Sequence, residues 1–322
     1  MLQFLALNVP FKKSSTISNK EGLLIQLENL YQTYKPLLFS IAYQMLGTVS
    51  DAEDMVQDTF LALSRVPSER ITHWKAYLCK SLTNRCLDRL KSASSQREQY
   101  IGPWLPEPIV TEAGPEEVTL QHDHLSLAYL HLLERLSPIE RIAFVLREAL
   151  GLDYPQIAEM MGKTTANCRK LVSRAKGKME QKITTKAPGP NRETLPFFKQ
   201  FLDALYKGDA QQLTHLLAEE PSLYSDGGGK ARAALRPLFG QQRITAFLLG
   251  INNKMTKPFN VTLVNVNGQP GILKQSDDGI DWIMTCHWEN HQIKDLYFYL
   301  NPDKMKHIFS SYEVTGTTIT IQ

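Results

Sequence analysis

The feature that most restricts how this chain can fold is the punctuation between residues 137 and 180. Ser137-Pro138-Ile139-Glu140 combines an N-cap serine, a proline at the first helical position and a glutamate completing a capping box, so a helix starts there. It is predicted to run to about Leu150, where Gly151 stops it. Two shorter helical segments, 154–161 and 165–180, are separated by Gly162-Lys163-Thr164. In the first, Tyr154, Ile157, Ala158 and Met161 make one apolar stripe at helical spacing. In the second, Cys168, Leu171, Val172, Ala175 and Met179 face inward, while Arg169, Lys170, Ser173, Arg174 and Lys176 project from other sides. That is helix-turn-helix punctuation with a basic second helix able to enter a major groove. Thr164, Thr165, Asn167, Arg169 and Lys170 would lie nearest base edges, where Asn pairs with adenine and Arg with guanine in bidentate fashion. Lys176 and Lys178 suit phosphate. An exposed basic helix also serves plain solubility, so the Gly turn and the short helix before it carry this reading.

Upstream, residues 23–46 and 50–65 carry apolar residues at helical spacing and meet at Gly47, the second opening on a capping box, Ser50-Asp-Ala-Glu53. A third helix is predicted from about Thr72 to Ala93. It has His73, Trp74 and Tyr77 near its start and Asn84, Arg85, Asp88, Arg89 and Lys91 near its end. Aromatics beside basic residues suit unstacked DNA, although an aromatic pair three residues apart, such as Trp74 and Tyr77, is more often part of a core. The acidic run Asp51, Glu53, Asp54 and Asp58, with Gln57 and Phe60, reads by itself as a solvated helix face with a favourable dipole interaction. Ser94 to Glu117 is a Pro-, Gly- and polar-rich linker, and residues 122–136 look helical.

After Lys186-Ala-Pro-Gly-Pro190 the character changes. Helices at 193–207 and 209–218 give way to a Gly-rich loop, another helix near 241–251, and alternating segments. Phe259 to Val266, Gly271 to Gln275, Ile280 to Trp288 and Gln292 to Leu300 read as antiparallel strands. Asn267-Gly268, Asp278-Gly279 and Glu289-Asn290 supply the hairpin turns. This part is therefore α+β.

Composition excludes several classes. With 322 residues, 43% apolar and 21% charged, the chain suits two or three compact domains rather than a disordered or fibrous protein. A net charge of +3 is too small to identify a nucleic-acid partner, so the distribution of Lys and Arg must decide. Cys79, Cys86, Cys168 and Cys286 form no CxxC pair, which suggests neither a disulfide framework nor a zinc site and points to a reduced cytoplasm. Met1 to Phe11 is apolar but lacks a basic n-region, a cleavage site and the roughly 20 residues needed to span a bilayer. No membrane partner, metal or cofactor is expected.

Three stretches together resemble the sigma-70 family of RNA polymerase sigma factors, extracytoplasmic-function type. They are Asp51-Ala-Glu-Asp-Met-Val-Gln57-Asp-Thr-Phe60, Trp74 through Arg89, and Leu136 through Arg147-Glu148 continuing into the helix-turn-helix. The likeness covers about residues 23–182. It implies that the first stretch, with Asp51, Glu53, Asp54, Gln57, Asp58 and Phe60, docks on the clamp helices of the polymerase β′ subunit. The second, with Trp74, Tyr77, Asn84, Arg85, Asp88 and Arg89, would read and open the −10 promoter element. The third would read the −35 element through Thr164, Thr165, Asn167, Arg169, Lys170 and Arg174, next to the β flap of core polymerase.

Three further signatures are similar to those of a subgroup with a fused SnoaL-like domain: Tyr100-Ile-Gly-Pro-Trp104-Leu-Pro-Glu-Pro108, Asp226-Gly227-Gly228-Gly229-Lys230 and Asn301-Pro302-Asp303-Lys304-Met305. Met305 stands where the subgroup has Leu, a change that roughly conserves apolar volume. The resemblance implies that the added domain replaces a separate anti-sigma factor by contacting the sigma domains. Trp104 in a Pro-rich linker would give it a semi-rigid docking surface. SnoaL-like folds also include isomerases and cyclases, so Tyr224, Asp281, His287 and Asp295 are candidate acid/base residues. They show no spacing that identifies a catalytic pair, and a non-enzymatic domain with a cavity for a small-molecule ligand is expected instead. The competing class is a ligand-responsive helix-turn-helix regulator that never joins polymerase; a clamp-docking helix and a single-strand-binding helix argue against it.

The expected architecture is multidomain, with two all-α sigma domains, the sigma-2 helical bundle and the sigma-4 helix-turn-helix. A C-terminal α+β SnoaL-like cone with a curved antiparallel sheet completes it. The expected boundaries are an extension over 1–22, sigma-2 over 23–95, a linker over 96–121, sigma-4 over 122–184, the regulatory domain over 193–310 and a tail over 311–322.

Overall fold

A computed structural model of the chain describes residues 17–66, 71–97, 99–112, 126–180, 191–252, 259–276, 279–311 and 318–321. It divides into two compact units, residues 1–94 with 136–178, and residues 95–135 with 179–322.

The first unit is helical. Helix α1 (Ile17–Leu46) and α2 (Val49–Leu63) meet at Gly47, whose φ of 73° is the left-handed conformation a helix end of this kind favours. Helix α2 starts before the expected Ser50 box: Thr48 is the N-cap residue, and its hydroxyl donates to the Asp51 carboxylate at 2.8 Å. Helix α3 (Trp74–Arg97) buries Leu78, Leu82, Cys86 and Leu90, which recur every fourth residue and so share one face. Helices α5 (Pro138–Glu148), α6 (Tyr154–Met161) and α7 (Thr165–Glu180) follow the sequence reading closely. Ser137 and Glu140 form the predicted reciprocal box, and Asp153 with Gln156 forms a second one that opens α6. The extension expected over 1–22 is described only from Ile17, where it is already α1.

Among the described residues the second unit is built on an eight-stranded sheet in the order β1 (Val110–Glu112), β4 (Phe259–Val266), β5 (Gln269–Ser276), β6 (Gly279–Glu289), β7 (Gln292–Tyr299), β2 (Leu217–Asp226) and β3 (Leu238–Phe239), with β8 (Thr318–Ile321) also paired to β4. Strands β4 (Phe259–Val266), β5 (Gln269–Ser276), β6 (Gly279–Glu289) and β7 (Gln292–Tyr299) are the expected antiparallel run. Helices α8 (Asn191–Lys207), α9 (Ala210–Leu216) and α10 (Gln241–Asn252) bury Phe198, Phe201, Leu213 and Ile244 against Leu223, Met284 and Leu296 of one sheet face.

Three expectations need correction. Helix α9 ends at Leu216, and the chain runs straight into β2 (Leu217–Asp226), which pairs parallel with β7 and antiparallel with the two-residue β3 (Leu238–Phe239). The tail expected over 311–322 contributes β8 (Thr318–Ile321), which pairs antiparallel with β4, and α11 (Lys306–Ser311) ends at the boundary before it. The linker contributes β1 (Val110–Glu112), which pairs with Val264 to Val266 of β4. Helix α4 (Leu127–Leu133), read from sequence as the start of the sigma-4 segment, falls within the compact unit of the C-terminal sheet. The parts of the linkers over 113–125 and 181–190, and Asp278 of one expected turn, lie outside the described residues.

Candidate functional site

In the helix-turn-helix, Gly162 adopts φ 62°, and the Lys163 amide closes the turn on the Ala158 carbonyl at 3.0 Å. That geometry needs no Cβ penalty only at glycine. The inward residues are as read: Cys168, Leu171, Val172, Ala175 and Met179 are all buried. On α6, Met160 joins Ile157 and Ala158 in the core, while Tyr154 and Met161 are half-buried. Thr164, Asn167, Arg169, Lys170 and Arg174 are exposed, and Thr165 is half-buried. Thr164 Oγ1 accepts from the Asn167 amide at 3.3 Å and so begins α7. The Arg147 and Arg169 guanidinium groups lie 4.9 and 5.4 Å from the Tyr154 ring centroid, a cation–π arrangement that orients both. Lys176 and Lys178 are tied back to Glu148 and Glu140 at 2.9 and 2.7 Å, so the open cationic surface is Arg169, Lys170 and Arg174. Burial alone would raise the Glu140 carboxyl, but bonds from Lys178 and Ser137 outweigh it and hold it below its usual range.

In the helices α2 and α3, the residues assigned to two different partners meet. Asp51 accepts from Arg89 Nε and Nη2 at 3.0 and 2.6 Å, so this pair fastens α3 to α2. Glu53, Asp54, Gln57 and Asp58 are exposed and form the accessible acidic surface. Phe60, expected as part of that surface, is only 3% exposed and packs edge-to-face on Tyr31 at 5.0 Å; it supports the surface from beneath. Asn84, Asp88 and Arg89 are exposed, whereas Trp74, Tyr77 and Arg85 are half-buried. Burial, helped by the Asp51 charge, pushes the Cys86 thiol up to about 12, which makes it an inert core residue.

The three signatures of the linker and C-terminal domain converge on one carboxylate. Asp226, 0% exposed at the end of β2, accepts from the Tyr100 hydroxyl at 2.5 Å, the Leu105 amide at 2.9 Å and Lys304 Nζ at 2.6 Å. Lys304 also donates to the Leu105 carbonyl and sits 4.0 Å from the Trp104 ring centroid. Asn301 Nδ2 donates to the Tyr100 oxygen at 2.8 Å. Burial, with Asp226 accepting its proton, raises the Tyr100 phenol well above its ordinary value and keeps it a donor. Gly228 and Gly229 have positive φ, and side chains there would strike Tyr100 and Ile101: a Cβ would lie 2.9 Å from the Tyr100 hydroxyl and 2.8 Å from Ile101 Cδ1. Gly227 turns the chain out of β2, with its carbonyl accepting from Lys230, and Lys230 in turn pairs with Asp303 behind Pro302. The linker is thus clipped to the domain at Asp226, by β1 on β4, and by reciprocal bonds between Ile109 and Asn267 at 2.8 and 2.9 Å.

Helix α4 lies over the sheet face opposite the one that α8, α9 and α10 cover. The His131 ring is 4.4 Å from Tyr224, which stacks on Tyr297 at 5.8 Å. His131 and Asn267 are contacts that sequence reasoning missed; no local pattern marks a partner more than 90 residues away. The acid/base candidates Tyr224, His287 and Asp295 alternate in β2, β6 and β7 with residues of the opposite face, where Leu223, Met284 and Leu296 meet the helices. Asp281 is ion-paired with Lys274 at 2.9 Å. Among the described residues no cluster of three or more potential ligands could hold a metal, and no helix is long and apolar enough to cross a membrane.

Residues 30–96 match the family model for Sigma-70 region 2, and residues 126–179 match that for Sigma-70 region 4. The chain is 31% identical over 286 residues to the ECF RNA polymerase sigma factor SigJ of Mycobacterium tuberculosis, covering 85% of this chain and 91% of that one. It is 28% identical over 279 residues to the probable ECF sigma factor SigI of the same species, covering 85% and 93%. The crystal structure of M. tuberculosis SigJ superposes with a TM-score of 0.69 at 27% identity, covering 91% of this chain and all of that one.

Proposed function

Because the chain belongs to the extracytoplasmic-function sigma factors of the sigma-70 family, we propose that its C-terminal domain regulates it in cis through the clamp on the linker. Sigma factors bind core RNA polymerase and promoter DNA. In this chain the exposed acids Glu53, Asp54 and Asp58 are assigned to polymerase, Trp74, Tyr77, Asn84 and Arg89 to the −10 element, and Asn167, Arg169, Lys170 and Arg174 to the −35 element.

The observation that carries regulation is the division of region 4. The family match begins at residue 126, yet α4 belongs to the unit of the C-terminal sheet while α5, α6 and α7 belong to the other. Within the helical unit, Arg141 of α5 donates to the Met45 carbonyl of α1 at 2.8 Å, and Lys80 of α3 pairs with Glu159 of α6 at 3.2 Å. A factor that reads two promoter elements set apart along a duplex has to free region 4 from region 2. The described form is therefore the closed one, and release of the linker from Asp226 is the opening step. The domain then does the work of an anti-sigma partner and is also the place where a small molecule would act.

Promoter-directed run-off transcription with purified core polymerase tests this, using the full chain and truncations ending near Lys186 and just before Asn301. Promoter-specific transcripts whose yield changes with truncation are expected. Equal yields from all three chains would refute regulation in cis, and failure of every chain to bind core would leave a regulator that works without polymerase.

A further inference from the structure

The face of the C-terminal sheet turned away from the linker closes, with α8 and α10, around a cavity of about 410 Å3. That volume lies in the lower part of the roughly 300–1,000 Å3 range of small-molecule sites. Its floor is Leu248, Ile272 and Met284, each about 1% exposed. Its mouth carries the exposed Tyr206 and Arg232. Arg232 has no carboxylate partner among the described residues, so the charge nearest an entering molecule is an uncompensated guanidinium. Tyr224, His287 and Asp295, the groups that could move protons, stand on the other face of the sheet, so the cavity is built to hold rather than to transform.

We infer that this cavity binds an apolar monoanion, a medium-chain or aromatic carboxylate or sulfonate, with its body on the Leu248–Ile272–Met284 floor and its anionic end at Arg232. The inference deepens the reading of the C-terminal domain as the regulatory part of the chain by naming the chemistry of its effector. An apolar floor gives affinity in proportion to the surface it removes from water, and a guanidinium at the rim selects anions over neutral or cationic analogues of the same length.

The probe is 1-anilinonaphthalene-8-sulfonate, titrated into the full chain, with sodium decanoate and decan-1-ol as competitors. Saturable one-to-one fluorescence enhancement, displaced by decanoate, is expected. Arg232→Met should weaken decanoate about tenfold, which corresponds to about 1.4 kcal/mol for the lost charge-assisted contact, and leave decan-1-ol within about twofold. Ala234→Trp and Ile251→Trp, which fill the cavity from a loop and from a helix, should each abolish displacement while the thermal transition is retained; two sites are used so that one poorly folding variant does not decide the matter. No saturable binding by the folded wild type, binding that survives both filling variants, or an equal loss of decanoate and decan-1-ol in Arg232→Met would each overturn the inference. None of these readouts involves transcription, so their failure would leave the sigma-factor reading and the linker clamp standing.

Discussion

The clamp around Asp226 can be tested by removing its counter-charge. In Lys304→Met the long apolar stem is kept, but the ammonium that lies 2.6 Å from Asp226 and also bonds the Leu105 carbonyl is lost. The aspartate is fully buried and Lys304 is 5% exposed, so the single change strands a carboxylate whose remaining donors are the Tyr100 hydroxyl and the Leu105 amide. Breaking a buried pair from one side typically costs about 3–5 kcal/mol. At about 1.4 kcal/mol per decade, that is a loss of roughly a hundred- to a few-thousandfold in the equilibrium holding the linker down.

Amide hydrogen exchange at Leu105, whose N–H points at Asp226, reads that equilibrium directly, and Trp104 fluorescence in urea reads it a second way. The companion variant Asp226→Asn with Lys304→Met removes both charges. Replacing a buried pair by neutral groups of similar shape is often close to neutral, so the double variant is expected to recover most of the lost protection. The reasoning fails if Lys304→Met costs no more than the roughly 1 kcal/mol of an exposed ion pair, or if the two losses simply add.

Gly228→Ala places a Cβ against Tyr100 and Asn301 at a positive φ, so it should release the linker by about 1 kcal/mol or more and make trypsin cleave within 95–112 faster. Arg169→Ala or Lys170→Ala should weaken binding at −35 sequences by roughly 1–3 kcal/mol where a base edge is read, seen as a five- to 150-fold loss in promoter binding by the polymerase complex; unchanged transcription would contradict the assignment. Glu140 is held below its ordinary range when folded, so its contribution is present above the unfolded value of about 4.5 and disappears as pH falls through the lower folded value. Acid titration followed by circular dichroism should therefore show a low-pH loss of helicity that Glu140→Gln reduces.

What the sequence disclosed was whatever is settled locally. Ser137 and Glu140 satisfy each other's backbone amides within one turn, Gly162 needs its left-handed φ whatever surrounds it, and the α7 stripe from Cys168 to Met179 is buried by periodicity alone. Strand β2 escaped because Glu219, Glu220 and Pro221 interrupt any alternation, and its later residues are buried on both faces, under helices on one side and the linker on the other. Strand β1 is three residues of a proline-rich segment that become a strand only because β4 offers pairing partners far along the chain, Val264 to Val266. Phe60 and Asp51 carried the right motif but face Tyr31 and Arg89, partners 29 and 38 residues away, and no spacing rule encodes them. The signatures at Tyr100, Asp226 and Asn301 were visible as words, while their meeting at one carboxylate required the fold.

That meeting point is also suited to reversal. A buried ion pair is a poor adhesive, because desolvating Asp226 and Lys304 consumes most of what their attraction returns. An apolar clip of equal area, an extension of the fully buried Leu105, would hold the linker more tightly. The charges instead make docking specific: only a segment that brings a hydroxyl, an amide and a carbonyl to the right places leaves neither ion unsatisfied, so a partly docked linker gains little. When the segment leaves, both ions regain water and the open state is not penalised. A clamp with these properties would be near balance and selective at once, which is what the regulation in cis proposed above requires and what a larger apolar contact would not supply.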